Sequence, residues 1–381
     1  MLRKSMSNLD QSFIQARDKF NPLIIPYIKE YIKPPSGIVD LDSIKKNDLT
    51  IKKLSKDKLM ISESSLPEVN KSIDDVCVKL GIDRNLLLAY VYPSMEISAY
   101  ALTSDTLPIT IALSAGAIQR LNKEELSFVI GHEIGHALIG QIINFDGNSN
   151  TLEDMIFARG LEISSDRIGL MATKNVEYAV HAILKLLSGL DDKFLKNSNI
   201  QSILSENEIH VTEDDLYSSH PPLLLRIDAL YKLSISDFYN NHVGNKDESE
   251  ISLENINQTT TSLLKQTVDL QAYEKIDKAA EELIIWPLSL LVLNQIKIDI
   301  KDLSEKFQIK IIKEDIQKAI TFINSYSGSQ KAAVFYEKVS GGLRQLNGLA
   351  PRKLVSMNEN FRKLFPTVEY TDIEYLKSVL N

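Results

Sequence analysis

An α+β fold follows from three features of the sequence. Short strand-like segments cluster between Leu86 and Leu113, long apolar helices follow them, and a polar stretch separates this part from a mostly helical C-terminal region. With 381 residues the chain has length for two or three domains. Its 44% hydrophobic and 25% charged residues are those of an ordinary globular protein. The 43 Lys and Arg against 51 Asp and Glu leave a net charge of −8, which argues against a nucleic-acid partner.

Taken in order, residues 1–60 read as a helical lead-in broken by Pro22, Pro26 and the pair Pro34-Pro35. From Leu66-Pro67 a helix pattern runs through Val69, Ile73, Val76 and Leu80 to Gly81, with Pro at its first position and Gly just past its end. The period then changes. Leu86–Tyr92, Glu96–Leu102 and Pro108–Leu113 read as strands of a small sheet. Asn122-Lys-Glu-Glu125 has the pattern of a capping box opening a helix that runs to Leu138 and stops at Gly140. Further helices are expected over Leu152–Thr173, Val176–Leu190 and Pro221–Leu233, the last with Pro at its first position. The resulting division is a lead-in over 1–60, a central domain over 61–235, a polar linker over 236–261 and a helical C-terminal domain over 262–381.

Cys77 is the single cysteine, so no intramolecular disulfide forms and a metal site must draw on His and carboxylate. The polar start of the chain lacks the apolar run of an export signal, and Leu283–Leu293, interrupted by Pro287, is far shorter than the roughly 20 residues that span a bilayer. A cytoplasmic protein without a membrane span is expected.

The segment most informative about chemistry is Gly131-His132-Glu133-Ile134-Gly135-His136, an HExxH pattern inside the helix that starts near Asn122. Residues four apart share a helix face, so His132 and His136 can reach one zinc ion, with Glu133 beside them to act on water at the metal. Leu126, Phe128, Val129, Ile130, Ile134, Ala137 and Leu138 make this helix apolar on most sides. Two buried imidazoles and a carboxylate would be costly there without a metal as partner. Gly131 and Gly135 each weaken the helix relative to Ala, which implies that another backbone packs closely against it.

Glu162-Ile-Ser-Ser-Asp166 lies on the next expected helix. Glu162 is assigned as the third metal ligand and Asp166, one turn on, as the group that orients His132 or His136. Downstream, Ser218-Ser-His220-Pro221-Pro222 precedes a helix bearing Arg226. His220 is a candidate donor to a developing oxyanion, or a simple helix start, and Arg226 a candidate to hold a carboxylate or peptide oxygen. His181, His210 and His242 have no motif context and read as structural or surface residues.

Together these residues resemble peptidase family M48, the group that includes HtpX and the CAAX prenyl endopeptidases. The resemblance spans about Leu66 to Leu233. It takes in Leu66-Pro67, Ser98-Ala-Tyr-Ala101 where the family usually has Asn-Ala-Phe-Ala, the strand Ile109–Leu113, and Leu121–Glu125 leading into His132–His136. Glu162, Asp166-Arg167-Ile-Gly169, His220-Pro221 and Arg226-Ile227 complete it. It implies a gluzincin-type zinc endopeptidase with one Zn²⁺ per chain held by His132, His136 and Glu162, Glu133 as general base, and a peptide or protein as substrate. His220 then corresponds to an oxyanion-stabilising position or to a residue that closes over the metal at rest. Ser98, Ala99 and Tyr100 fall on the edge where an extended substrate pairs. The stretch Asp146–Asn150 is short and polar where membrane members insert spanning segments.

Two other classes of function are compatible with the sequence. One is a non-catalytic zinc-binding interaction protein of the same fold. The other is a protease-linked regulator, since Ile300–Phe307 and Lys313–Ile323 have the pattern of a helix-turn-helix. Core packing explains the apolar positions Ile311, Ile312, Ile316, Ala319 and Ile320 of that pair and is the favoured reading of them.

Overall fold

The short strand Leu59–Met60 (β1) pairs antiparallel with Leu87–Tyr92 (β2), and β2 lies parallel to Ile109–Ser114 (β4) with Leu87 opposite Ile109. Ala99–Leu102 (β3) pairs antiparallel with β4, Ala99 opposite Leu113, so the sheet order is β1-β2-β4-β3 and β3 lies at an edge. These coordinates come from a computed structural model. It describes residues 11–26, 41–102, 109–140, 152–195, 199–207, 218, 220–244 and 251–266, with positions 314, 317 and 321 besides. All three expected strands are present, the middle one shortened. β4 is buried along its whole length, Thr110 and Ser114 included, as expected of a strand between two neighbours with covered faces.

Ser114 explains why the middle strand starts at Ala99 and not at Glu96. Its Oγ donates to the Glu96 carbonyl at 2.7 Å and accepts from the amides of Ser98 and Ala117, at 3.1 and 2.9 Å. One hydroxyl thus caps the next helix and fixes the loop that leads into β3. Gly116 lies under this loop, where a Cβ would stand 2.3 Å from the Met95 carbonyl oxygen.

The helices follow in chain order: Gln11–Phe20 (α1), Leu41–Asp57 (α2), Pro67–Leu80 (α3), Ala115–Arg120 (α4), Lys123–Gly140 (α5), Leu152–Thr173 (α6) and Val176–Ser188 (α7). Then come Asp192–Leu195 (α8), Ile200–Glu206 (α9), Leu223–Ser234 (α10), Asp237–Val243 (α11) and Leu253–Gln266 (α12). α3 begins at Pro67 and ends at Gly81 with φ 74°, the left-handed cap its sequence implies. The capping box of α5 forms in both directions. Asn122 Oδ1 accepts from the amides of Glu124 and Glu125, and Glu125 Oε2 accepts from the Asn122 amide at 2.9 Å. Phe128, Ile130, Ile134, Ala137, Leu138 and Ile139 on α5 are all buried, which makes it the central helix of the unit.

Three expectations change. Pro222, not Pro221, stands next to the first turn of α10, occupying its N-cap. The polar stretch 236–261 is not a linker where it is described. It carries α11, capped by Ser236 and by Gly244 at φ 82°, and most of α12. Its polar residues serve a buried cation: Arg167 on α6 donates to Asn257 Oδ1 at 2.6 Å and to Thr260 Oγ1 at 3.3 Å. The lead-in is likewise part of the core. Phe13, Phe20, Leu23, Ile24 and Ile25 are buried, Arg167 donates to the Leu23 carbonyl, and Ser164 Oγ accepts from the Ile25 amide. Residues 60 and 236 are therefore not packing boundaries. One compact unit comprises Met1–Gly147 and Ile156–Thr267, and a second comprises Asn148–Met155 and Val268–Asn381. The expected polar loop Asp146–Asn150, the run Leu283–Leu293 and the helix-turn-helix pattern lie outside the described residues, apart from Glu314, Gln317 and Thr321. No helix among the described residues is long and apolar enough to cross a membrane.

Candidate metal centre

The centre is built by two helices that approach unusually closely. A Cβ at Gly131 of α5 would stand 2.4 Å from the Ala172 Cβ of α6, and one at Gly135 would stand 3.0 Å from the Ser165 Cα. On α6, a Cβ at Gly169 would stand 2.8 Å from the Phe128 carbonyl oxygen. Three glycines thus set the separation of the helices, as the cost of Gly131 and Gly135 within a helix implies. At that separation the His132 and His136 side chains of α5 meet Glu162 and Asp166 of α6.

His132 Nε2 and His136 Nε2 lie 3.0 Å apart. Glu162 Oε2 is 3.6 Å from the first, and its Oε1 3.2 Å from the second. Ligand atoms of the three residues all fall within 4.8 Å of one another, the one such His, Cys, Asp and Glu group among the described residues. Asp166, 1% exposed, accepts from His132 Nδ1 at 2.8 Å. A carboxylate there favours the tautomer that carries hydrogen on Nδ1 and turns the Nε2 lone pair toward His136 and Glu162. Two imidazole nitrogens and a carboxylate converging in this way suit a divalent zinc-like cation, so the donor set fits the metal that the sequence implies.

Charge is arranged to keep the acids ionised. Burial pushes the Glu162 carboxyl upward, but the His136 and His132 imidazoles and Arg226 outweigh it and hold it well below the usual carboxylate range. Burial likewise opposes ionisation of Asp166, and the Arg226 guanidinium and His132 overcome it. His132 is driven down by burial and, more strongly, up by Asp166, Glu162 and Glu133.

The geometry gives Arg226 a partner within the chain. It is buried and gives its Nε and Nη2 to Asp166 as a two-point clamp, at 2.8 and 2.7 Å. Arg226 therefore holds a carboxylate of the chain itself, and it also lines the cleft beside the centre. Of the two histidines open for Asp166 to orient, it contacts His132. His220 reaches the centre from the segment before α10, with Nε2 3.7 Å from Glu162 Oε1 and a side chain 60% exposed.

A cleft of about 370 Å³ joins these groups. Glu133 lines it, as do Ser98, Ala99, Tyr100 and Ala101 at the sheet edge, so the expected strand residues and the His132–His136 face of α5 share one cavity. Sequence reasoning did not identify its apolar wall, Phe128 and Val129 of α5 with Leu186 and Leu187 of α7. Leu187, 52% exposed within an otherwise buried helix pattern, is the one signal of it. His242 stacks on Phe238 at 5.5 Å, in keeping with a structural role.

Residues 64–144 and 148–234 match the model of peptidase family M48. Among curated relatives, a Protease HtpX homolog of Limosilactobacillus reuteri is 21% identical over 225 residues, covering 45% of this chain and 75% of the relative. One from Pyrococcus furiosus is 23% identical over 223 residues, 46% of this chain and 76% of the relative. Protease HtpX of Xylella fastidiosa is 30% identical over a shorter span of 109 residues, 26% of this chain and 37% of the relative.

Proposed function

The chain belongs to peptidase family M48 through residues 64–144 and 148–234, and from that premise we propose that it is a gluzincin-type zinc endopeptidase that hydrolyses peptide bonds in extended polypeptides. The observation that carries this reading is the convergence of His132, His136 and Glu162 in the cleft that also holds Glu133 and the edge strand β3.

His132 Nε2, His136 Nε2 and the Glu162 carboxylate are the ligands for one zinc. The bound ion supplies Lewis-acid polarisation of water and of the scissile carbonyl. Glu133 takes the proton from the attacking water and delivers it to the leaving amine. His220 donates to the carbonyl oxygen as negative charge builds on it, a contribution that is typically about 3 kcal/mol for one such donor. Asp166 keeps His132 in its ligating tautomer, and Arg226 keeps Asp166 charged. β3, paired only with β4 among the described residues, offers its outer edge to a substrate backbone in β-augmentation, and Phe128, Val129, Leu186 and Leu187 receive apolar side chains. Cys77 is the single cysteine of the chain and leaves no intramolecular disulfide to form, in keeping with a reducing compartment, and we place the protein in the cytoplasm.

The test is hydrolysis of casein by zinc-loaded protein. Wild type is expected to cleave it and Glu133→Gln to bind zinc without cleaving. Protein that cannot be loaded with zinc contradicts the proposal.

A further inference from the structure

Arg159 precedes Glu162 by three residues on α6, so one stretch of helix surface carries both. The residue is 1% exposed, and its Nε donates to the Ser218 carbonyl at 2.9 Å. A buried guanidinium is costly to desolvate and is kept where strong acceptors hold it, and a charge-assisted bond of this length is among the stronger ones. Ser218 in turn clasps His220. Its Oγ donates to the His220 carbonyl at 2.9 Å and accepts from the His220 amide at 3.2 Å. On the other side Pro221 and Pro222 restrict the backbone and lead into α10, whose Arg226 is locked onto Asp166.

The His220 ring is 60% exposed, with its Nε2 3.7 Å from Glu162 Oε1. Its backbone is anchored on both sides, each time to α6: upstream through Arg159 and Ser218, downstream through Arg226 and Asp166. We propose that Arg159 is a positioning residue, which ties the Ser218–His220 segment to the metal-ligand helix and so keeps His220 facing Glu162 and the scissile bond. The kinetic consequence rests on the endopeptidase reading above, whereas the anchoring does not. A group engaged only as charge develops on the carbonyl oxygen affects kcat more than KM. Loosening it should therefore split the two constants.

The experiment uses the full chain, zinc-loaded, with fluorescein-labelled casein as substrate, and compares wild type with Arg159→Met, Arg159→Lys, Ser218→Ala, His220→Ala and the double variant Arg159→Met/His220→Ala. Amide hydrogen exchange is followed in parallel over 218–226 and over α5. Arg159→Met is expected to lower kcat about tenfold with KM within about twofold, as for a partly displaced oxyanion donor. Zinc content stays at the wild-type value, Arg159→Lys recovers part of the rate, and the double variant is no slower than His220→Ala. Exchange should quicken over 218–226 and not over α5. A double variant slowed by the product of the two single effects, or unchanged exchange over 218–226, overturns the proposal. If Arg159→Met does not fold, Arg159→Gln takes its place under the same criteria, and Ser218→Ala, which keeps the Arg159 bond to the Ser218 carbonyl but cuts the Oγ clasp on His220, should likewise lower kcat more than KM. If wild type cleaves nothing, the endopeptidase reading fails, and the exchange comparison alone decides whether Arg159 anchors this segment.

Discussion

The helix α5 carries two clusters of buried charge, one at its first turn and one at its middle, and they are closed in different ways. At the first turn Glu125 accepts from Lys185 Nζ at 2.7 Å, and Lys185 also reaches Asp192 at 2.5 Å and the Arg120 carbonyl at 3.2 Å. A cation from the chain sits among the acceptors and balances the Glu125 charge through Oε2, while Glu125 Oε1 has no hydrogen-bond partner. At the middle, the chain's cation Arg226 is engaged with Asp166 and stays 3.8 Å from Glu162. The ligand atoms of His132, His136 and Glu162 converge beside it, where the proposed zinc would be shared among them. Under the proposed function the first cluster is structural and the second is where zinc would bind.

Substitution of the two chain cations puts this contrast at greatest risk. Arg226→Met and Lys185→Met should each destabilise the fold by roughly 3–5 kcal/mol in urea unfolding, because each leaves a buried carboxylate uncompensated. Only Arg226→Met should also weaken zinc binding, by about 10–100-fold in competition with a chromogenic chelator, because Asp166 then orients His132 less well. Equal zinc affinities in the two variants would erase the distinction. Metal removal is next in size. Saturating zinc at about 1,000 times its dissociation constant should stabilise the protein by ~4 kcal/mol over the chelated form. Glu162→Ala should abolish that increment in calorimetry, and Lys185→Met should keep it.

Smaller effects test the helix contact that brings the ligands together. Gly131→Ala forces a Cβ to within 2.4 Å of the Ala172 Cβ. It should cost about 1–3 kcal/mol by overpacking and lower zinc affinity as well, since the two ligand helices must part. Gly81→Ala is the control. Its Cβ meets nothing within 4 Å, but the residue sits at φ 74°, so a loss of about 1 kcal/mol with unchanged zinc affinity is expected.

Much of this was legible in the sequence because it rests on local spacing. Four-residue separations place His132 with His136 and Glu162 with Asp166, and the signals at Pro67, Gly81, Asn122 and Glu125 act within a turn or two of where they stand. What escaped depends on partners distant in the chain. Arg226 reads from the sequence as a residue for substrate, and its clamp on Asp166 is not legible there because the two stand 60 positions apart. The stretch 236–261 reads as a linker because it is polar, yet its Asn257 and Thr260 accept from the buried Arg167, 90 and 93 positions away. Composition reports the polarity of a residue and not the buried charge that it serves.

The most direct measurement of the central claim is zinc content by elemental mass spectrometry together with casein hydrolysis, for wild type and Glu133→Gln. About one zinc per chain is expected in both, with hydrolysis at least about 100-fold slower in the variant, as for loss of a general base. Zinc absent from both after dialysis against zinc, or equal hydrolysis by the two, would contradict it.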